Sequence, residues 1–200
     1  MSVNKRDVVI GAFIVAQCGV LGVVWAMKSR PARLPEPEKL SLSAQEVIGD
    51  KRPLLGAADA PYTLVEFGDY QCPPCAARFA EVERLLPRYP TKLRFQFRHY
   101  PLIQIHPFAR QAALIAEEQR IKGRFWATHR VLYAMDAHLS PSELNRFKTP
   151  DVRQAEAVLQ QDIRIAEKIG IAGTPTFLLC SSDGTVLRIQ SLDQVPAQLH

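Results

Sequence analysis

The sequence predicts an α/β domain, a central mixed β-sheet flanked by helices and carrying an α-helical insertion, preceded by one N-terminal transmembrane helix. Three observations carry this. A strand-helix-strand pattern runs from Thr63 to Arg98, helical periodicity dominates from His106 to Gly170, and two strands around a tight turn follow from Thr174 to Gln190. With 200 residues, 47% of them hydrophobic, the chain is long enough for one domain with its own core and an appendage.

The formal charge of +5 is unevenly spread. Residues 1–55 hold eight Lys/Arg against five Asp/Glu, and residues 56–200 hold seventeen against fifteen, so the globular part is close to neutral. No Lys/Arg cluster is interleaved with aromatic residues, and nucleic-acid binding is not expected. Four cysteines are too few for a disulfide scaffold. Cys18 lies in an apolar run and Cys180 in the strand-like "TFLLC", where each reads as a small hydrophobe.

In chain order, residues 1–7 form a short N-terminus and residues 8–27 an uncharged apolar run. At about 1.5 Å per residue this run reaches across roughly 30 Å of hydrocarbon, and Trp25 stands near its end as an interfacial aromatic would. It exceeds the usual apolar core of a cleaved leader and reads as an uncleaved signal anchor. Lys5 and Arg6 on one side and Lys28, Arg30 and Arg33 on the other leave its orientation undecided by charge. Residues 28–55, with Pro31, Pro35 and Pro37, read as a spacer with a short helix capped by Ser43 and Glu46.

Residues 56–200 form the domain, with the helical insert at about 101–170. "TLVEF" is the first strand, Ala76 to Leu86 a helix with apolar residues at Phe79, Val82, Leu85 and Leu86, and "KLRFQFR" an alternating strand. The insert offers helices over "HPFARQAALIAEEQ" and "GRFWATHRVLYAM", a short one opened by Ser140, and a longer one from Pro150 to Gly170. Phe125, Trp126 and Tyr133 sit at helical spacing and read as insert core. "SSDG" turns one strand into the next, and Leu192 to Leu199 allows a turn or two of helix.

The chemistry concentrates at "VEFGDYQCPPC". If Cys72 caps the helix, its sulfur meets free backbone N–H groups and the positive end of the helix dipole, which favour a thiolate. Pro73 and Pro74 then occupy the first two helical positions, where a missing N–H costs nothing and the fixed φ stiffens the turn. Pro74 also withholds a donor from the sulfur, leaving chiefly the Cys75 N–H.

Residues from about Gly56 to Gln190 resemble the DsbA-like branch of the thioredoxin-fold disulfide oxidoreductases, through "VEFGDYQCPPC", the helical insert and "GIAGTPTF". The resemblance implies thiol-disulfide exchange with exported proteins, in which Cys72 is the exposed attacking thiol and Cys75 the buried resolving one. It implies that Glu66 is a buried acid relaying a proton for the resolving thiol, against an edge-strand glutamate facing water. Pro175 matches the loop proline that is cis in this fold, against an ordinary trans proline, and Thr174 beside it offers its backbone to an extended substrate. Strongly oxidising members carry a histidine where Pro74 stands, so the resemblance implies a potential between theirs and that of thioredoxin.

No cofactor and no metal are expected. A membrane or periplasmic redox partner is, and the chemistry places the domain on the periplasmic side of a bacterial inner membrane, single-pass, with residues 1–7 in the cytoplasm. Two other classes stay open: a metal-handling protein using Cys72 and Cys75 as soft ligands, and a membrane-tethered assembly or binding module of the same fold. His99 and His106 read as structural. The later insert and the closing helix look shortened relative to the family, which leaves one sheet face thinly covered.

Overall fold

The computed structural model describes residues 34–50, 52–135, 139–147 and 152–199. The chain divides into two compact units, Met1–Pro35 and Glu36–His200. Of the first, only Leu34 and Pro35 are described, so the expected N-terminus, the anchor at 8–27 and Cys18 lie outside the described residues. Among those described, no helix is long and apolar enough to cross a membrane.

The second unit is built on a six-stranded sheet. Its strands are β1 (Glu38–Lys39), β2 (Leu54–Gly56), β3 (Tyr62–Gly68), β4 (Leu93–His99), β5 (Thr176–Ser181) and β6 (Val186–Ile189), in the order β1-β6-β5-β3-β4-β2. Only β3 and β4 run parallel, in register from Tyr62 opposite Leu93 to Gly68 opposite His99. A parallel pair needs a crossover, which α2 (Pro73–Leu85) supplies. The β5–β6 hairpin turns through the expected "SSDG", closed by the Gly184 N–H donating to the Ser181 carbonyl at 3.0 Å.

The described part of the expected spacer is not a spacer. β1 pairs with β6, β2 pairs with β4, and α1 (Ala44–Ile48) packs Val47 into the core, so the domain takes in the chain from Glu38 onward. Strands of two and three residues are too short to carry a period, and only the edges they complete identify them. The capping box of α1 is as read: Ser43 Oγ accepts the Glu46 N–H, and Glu46 Oε2 accepts the Ser43 N–H.

Alternation along β3 divides the core. Leu64 and Glu66 face one side, where Phe79, Val82 and Leu85 of α2 meet Phe95 and Phe97 of β4 and the insert helix α4 (Phe125–Met135). Val65 and Phe67 face the other, against Val47 of α1 and Ala166 and Ile169 of α6 (Arg153–Ile169). Gly68 ends β3 where any Cβ would strike the Phe97 ring and the Tyr133 hydroxyl, so only glycine fits there.

The insert comprises α3 (Ala109–Ile121), α4, α5 (Pro141–Leu144) and α6. Ala113 and Leu114 of α3 pack on Ala155 and Leu159 of α6. Phe125 and Tyr133 are buried as expected, and Trp126 Nε1 donates to the Leu54 carbonyl at 3.0 Å. Helix α6 starts at Arg153, capped by Val152, later than the expected Pro150, which lies outside the described residues. It stops at Gly170, whose φ of 72° is left-handed. The closing segment forms two short 3-10 turns, Leu192–Gln194 and Pro196–Gln198, and buries Leu192, Val195 and Leu199 on the α2 side of the sheet.

Candidate active site

The loop after β3 ends at Cys72, which caps α2 in extended backbone conformation with Pro73 and Pro74 at the first helical positions. Its sulfur lies 3.4 Å from the carbonyl oxygen of Thr174, and the Thr174–Pro175 bond is cis. Both thiols are free. Cys72 is less open than expected for an attacking thiol, with 5% of its surface exposed, because its sulfur lies against the Thr174–Pro175 loop; Cys75 is fully buried.

The Cys72 thiol is lowered to about 6, chiefly because the Cys75 thiol donates to its sulfur, with the Thr174 side chain and the Cys75 N–H adding to this. Burial and the charge of Asp69 act against it. The Thr174 hydroxyl has no hydrogen-bond partner among the described residues, so it is free to donate once the sulfur is ionised. The cap position also sets the second thiol beside the first. Burial pushes the Cys75 thiol the opposite way, far up, and its hydrogen bond to Cys72 and the charge of Glu66 reinforce the shift.

Glu66 lies on β3, between β4 and β5, with none of its surface exposed, so the edge-strand alternative is excluded. Burial raises its carboxyl well above the usual range, and the Cys72 charge adds to this; the Cys75 and Tyr133 side chains counter only part. Neither carboxyl oxygen closes a hydrogen bond among the described residues. Thus the structure brings Cys72, Cys75, Glu66, Pro73, Pro74, Thr174 and Pro175 to one end of the sheet.

Other groups escaped the sequence reading. Asp69, inside the quoted motif, accepts the Gln71 N–H at 2.7 Å and the Leu102 N–H at 2.8 Å, and faces His106 Nδ1 at 2.8 Å. Tyr70 pairs its hydroxyl with His129 Nδ1 at 2.9 Å. Farther along β4, Asp162 of α6 takes Arg52 at 2.5 Å and Arg98 at 3.2 Å, while Glu117 of α3 takes Arg120 at 2.5 Å and His99 at 3.1 Å. Only Asp69 and Tyr70 carried a local signal, their places three and two residues before the first thiol. Cys180 is buried in the second core, its thiol pushed up to about 12 by burial. Among the described residues no three His, Cys, Asp or Glu side chains could share a metal ion.

Known proteins agree with this architecture. The chain is 31% identical over 188 residues to a Na(+)/H(+) antiporter NhaA 1 of Salinispora arenicola, a match covering 83% of this chain but only 29% of the antiporter. Among solved structures, a thioredoxin-like oxidoreductase from Silicibacter pomeroyi superposes with a TM-score of 0.60 and 27% identity over 76% of this chain and 93% of that one. DsbA2 of Pseudomonas aeruginosa does so with a TM-score of 0.63 at 21% identity, over 82% and 93%, a likeness of fold. The thioredoxin family profile matches residues 49–195, and the chain belongs to that family.

Proposed function

We propose that this chain is a thiol-disulfide oxidoreductase acting through Cys72 and Cys75 on exported proteins. The observation that carries the reading is the Cys72 sulfur, lowered to about 6 by the second thiol and set against the Thr174–Pro175 loop. At neutral pH it is mostly thiolate, the form that attacks a disulfide. In the reducing direction the Cys72 sulfur attacks one sulfur of a substrate disulfide. The substrate S–S bond breaks, one substrate sulfur leaves as thiolate, and a mixed disulfide remains.

Cys75 then attacks the Cys72 sulfur and releases the second substrate thiolate, leaving a Cys72–Cys75 disulfide. The Cys75 thiol, pushed far up, needs a base for this step. Glu66 is the buried carboxyl whose charge bears on it, and in its ionised form it takes the proton. Oxidation of a substrate dithiol runs the same steps backward. The Thr174 backbone, ahead of a proline that has no N–H, is positioned to pair with an extended substrate. With 8–27 as its anchor, the reaction belongs to the periplasmic face of the inner membrane, with a membrane or periplasmic redox partner.

Insulin reduction by the purified chain, with dithiothreitol supplied to reduce the Cys72–Cys75 disulfide after each cycle, tests the reading. Turnover is expected in the wild type and none in Cys72→Ser; equal rates in the two overturn it. The Salinispora arenicola antiporter, of which this chain spans 29%, favours a second reading, a thioredoxin-like module tethered beside a membrane transport protein. On that reading wild type and Cys72→Ser are equally inert toward insulin.

A further inference from the structure

The loop that presents Cys72 is folded around the Asp69 carboxylate, whose side chain has no exposed surface. Its Oδ1 accepts the Gln71 N–H, its Oδ2 accepts the Leu102 N–H, and its carbonyl accepts the Cys72 N–H at 3.1 Å. The carboxylate is needed for the shape of the loop. Its charge, three residues ahead of the thiol, nevertheless opposes ionisation of Cys72.

The compensating group comes from the loop between β4 and α3. His106 Nδ1 faces Asp69 Oδ2 at 2.8 Å, and since a carboxylate only accepts, that nitrogen carries its hydrogen toward Asp69. Among the described residues it is the one side-chain donor to this carboxylate, the other two donors being backbone amides. The same loop is held by the Leu102 N–H on Asp69 and by the Phe108 N–H donating to Gln71 Oε1 at 2.5 Å, so it stays docked without the imidazole.

We propose that His106 is a positioning residue that sets the reactivity of Cys72 from outside the Cys-Pro-Pro-Cys loop, by hydrogen-bonding and partly neutralising Asp69. Withdrawing the donor concentrates negative charge on Asp69 and disfavours the thiolate. A less stable thiolate means a less stable reduced form, and so a disulfide that is harder to reduce. The consequence for catalysis rests on the oxidoreductase reading, but the electrostatic claim does not.

The test follows alkylation of Cys72 against pH in the reduced full chain, read by mass spectrometry of the Cys72 peptide, together with redox titration of the Cys72/Cys75 pair. His106→Ala is expected to lower the thiolate population three- to tenfold below the midpoint, that is, to raise the thiol by about half to one pKa unit and make the potential about 15–30 mV more negative. His106→Gln, which keeps a donor, is expected to recover part of the shift. Asp69→Asn is expected to move both readings the other way, and His106→Ala on top of it to add nothing. A His106→Ala protein that titrates like the wild type overturns the proposal, as does an equal shift with or without the Asp69 charge. Should Asp69→Asn fail to fold, the proposal stands if His106→Gln lies between wild type and His106→Ala, and falls if the two His106 variants coincide. If the wild type fails to reduce insulin while His106→Ala still shifts the titration, the functional reading falls and this one holds.

Discussion

Two buried glutamates, Glu66 on β3 and Glu117 on α3, show no more than 1% exposure and shift in opposite directions. Among the described residues Glu66 meets thiols and a phenol but no cation, and burial lifts its carboxyl well above the usual range. Burial also pushes Glu117 upward, but the hydrogen bonds and charges of His99 and Arg120 bring it below that range. Depth does not decide what a carboxyl does. The paired one ties α3 to the sheet, and the unpaired one is left with a titration suited to moving a proton.

The largest expected effect probes the paired region. Asp162→Ala strands Arg52 and the fully buried Arg98 without their shared carboxylate, and breaking such a pair costs about 3–5 kcal/mol. Urea unfolding is expected to show that loss with the Cys72 titration unmoved; a loss no larger than a surface substitution would break the distinction. Next, Glu66→Gln is expected to slow decay of the mixed disulfide about 100-fold in single turnover. Glu117→Gln is expected to leave that step near wild type, and equal slowing by both would show that the cations make no difference.

The pH dependence of stability sharpens the contrast, because the two shifts carry opposite signs. The folded Glu66 carboxyl is raised, so its contribution is fully present below 4.5, the unfolded value, and is lost as pH rises toward the folded one. Measured against Glu66→Gln, the wild type is expected to lose ground as pH climbs above 4.5. Glu117 is lowered, so its contribution is present above 4.5 and lost as pH falls through the folded value. Its advantage over Glu117→Gln is expected to shrink on acidification. Parallel slopes in the two comparisons would contradict the opposite environments. The smallest effect belongs to the surface: Arg78 and Glu81 pair at 2.6 Å with 43% and 37% of their side chains exposed, and Arg78→Ala is expected to cost below about 0.5 kcal/mol.

Much of the thiol site was legible in the chain itself. Cys72, Pro73, Pro74 and Cys75 announce a helix start through cap and proline preferences that act within one turn. Glu66, a charge inside an apolar strand, and Thr174-Pro175, ahead of another strand, took their roles from the family resemblance. The cap and proline signals are local, and the structure places all of these residues at one end of the sheet. The edge strands were hidden, because two or three residues show no alternation. Hidden too was the depth of Cys72, which depends on a loop about a hundred residues later in the chain.

Local residue order thus determined where the central strands and the thiol-bearing helix begin, which of their faces are apolar, and that two thiols share one turn, since caps, prolines and periodicity act between near neighbours. Only the tertiary structure decided which charges meet. Arg52 finds Asp162 across 110 positions and His106 finds Asp69 across 37. A carboxylate's chemistry depends on distance in space to its nearest donor, and separation along the chain carries no record of that distance.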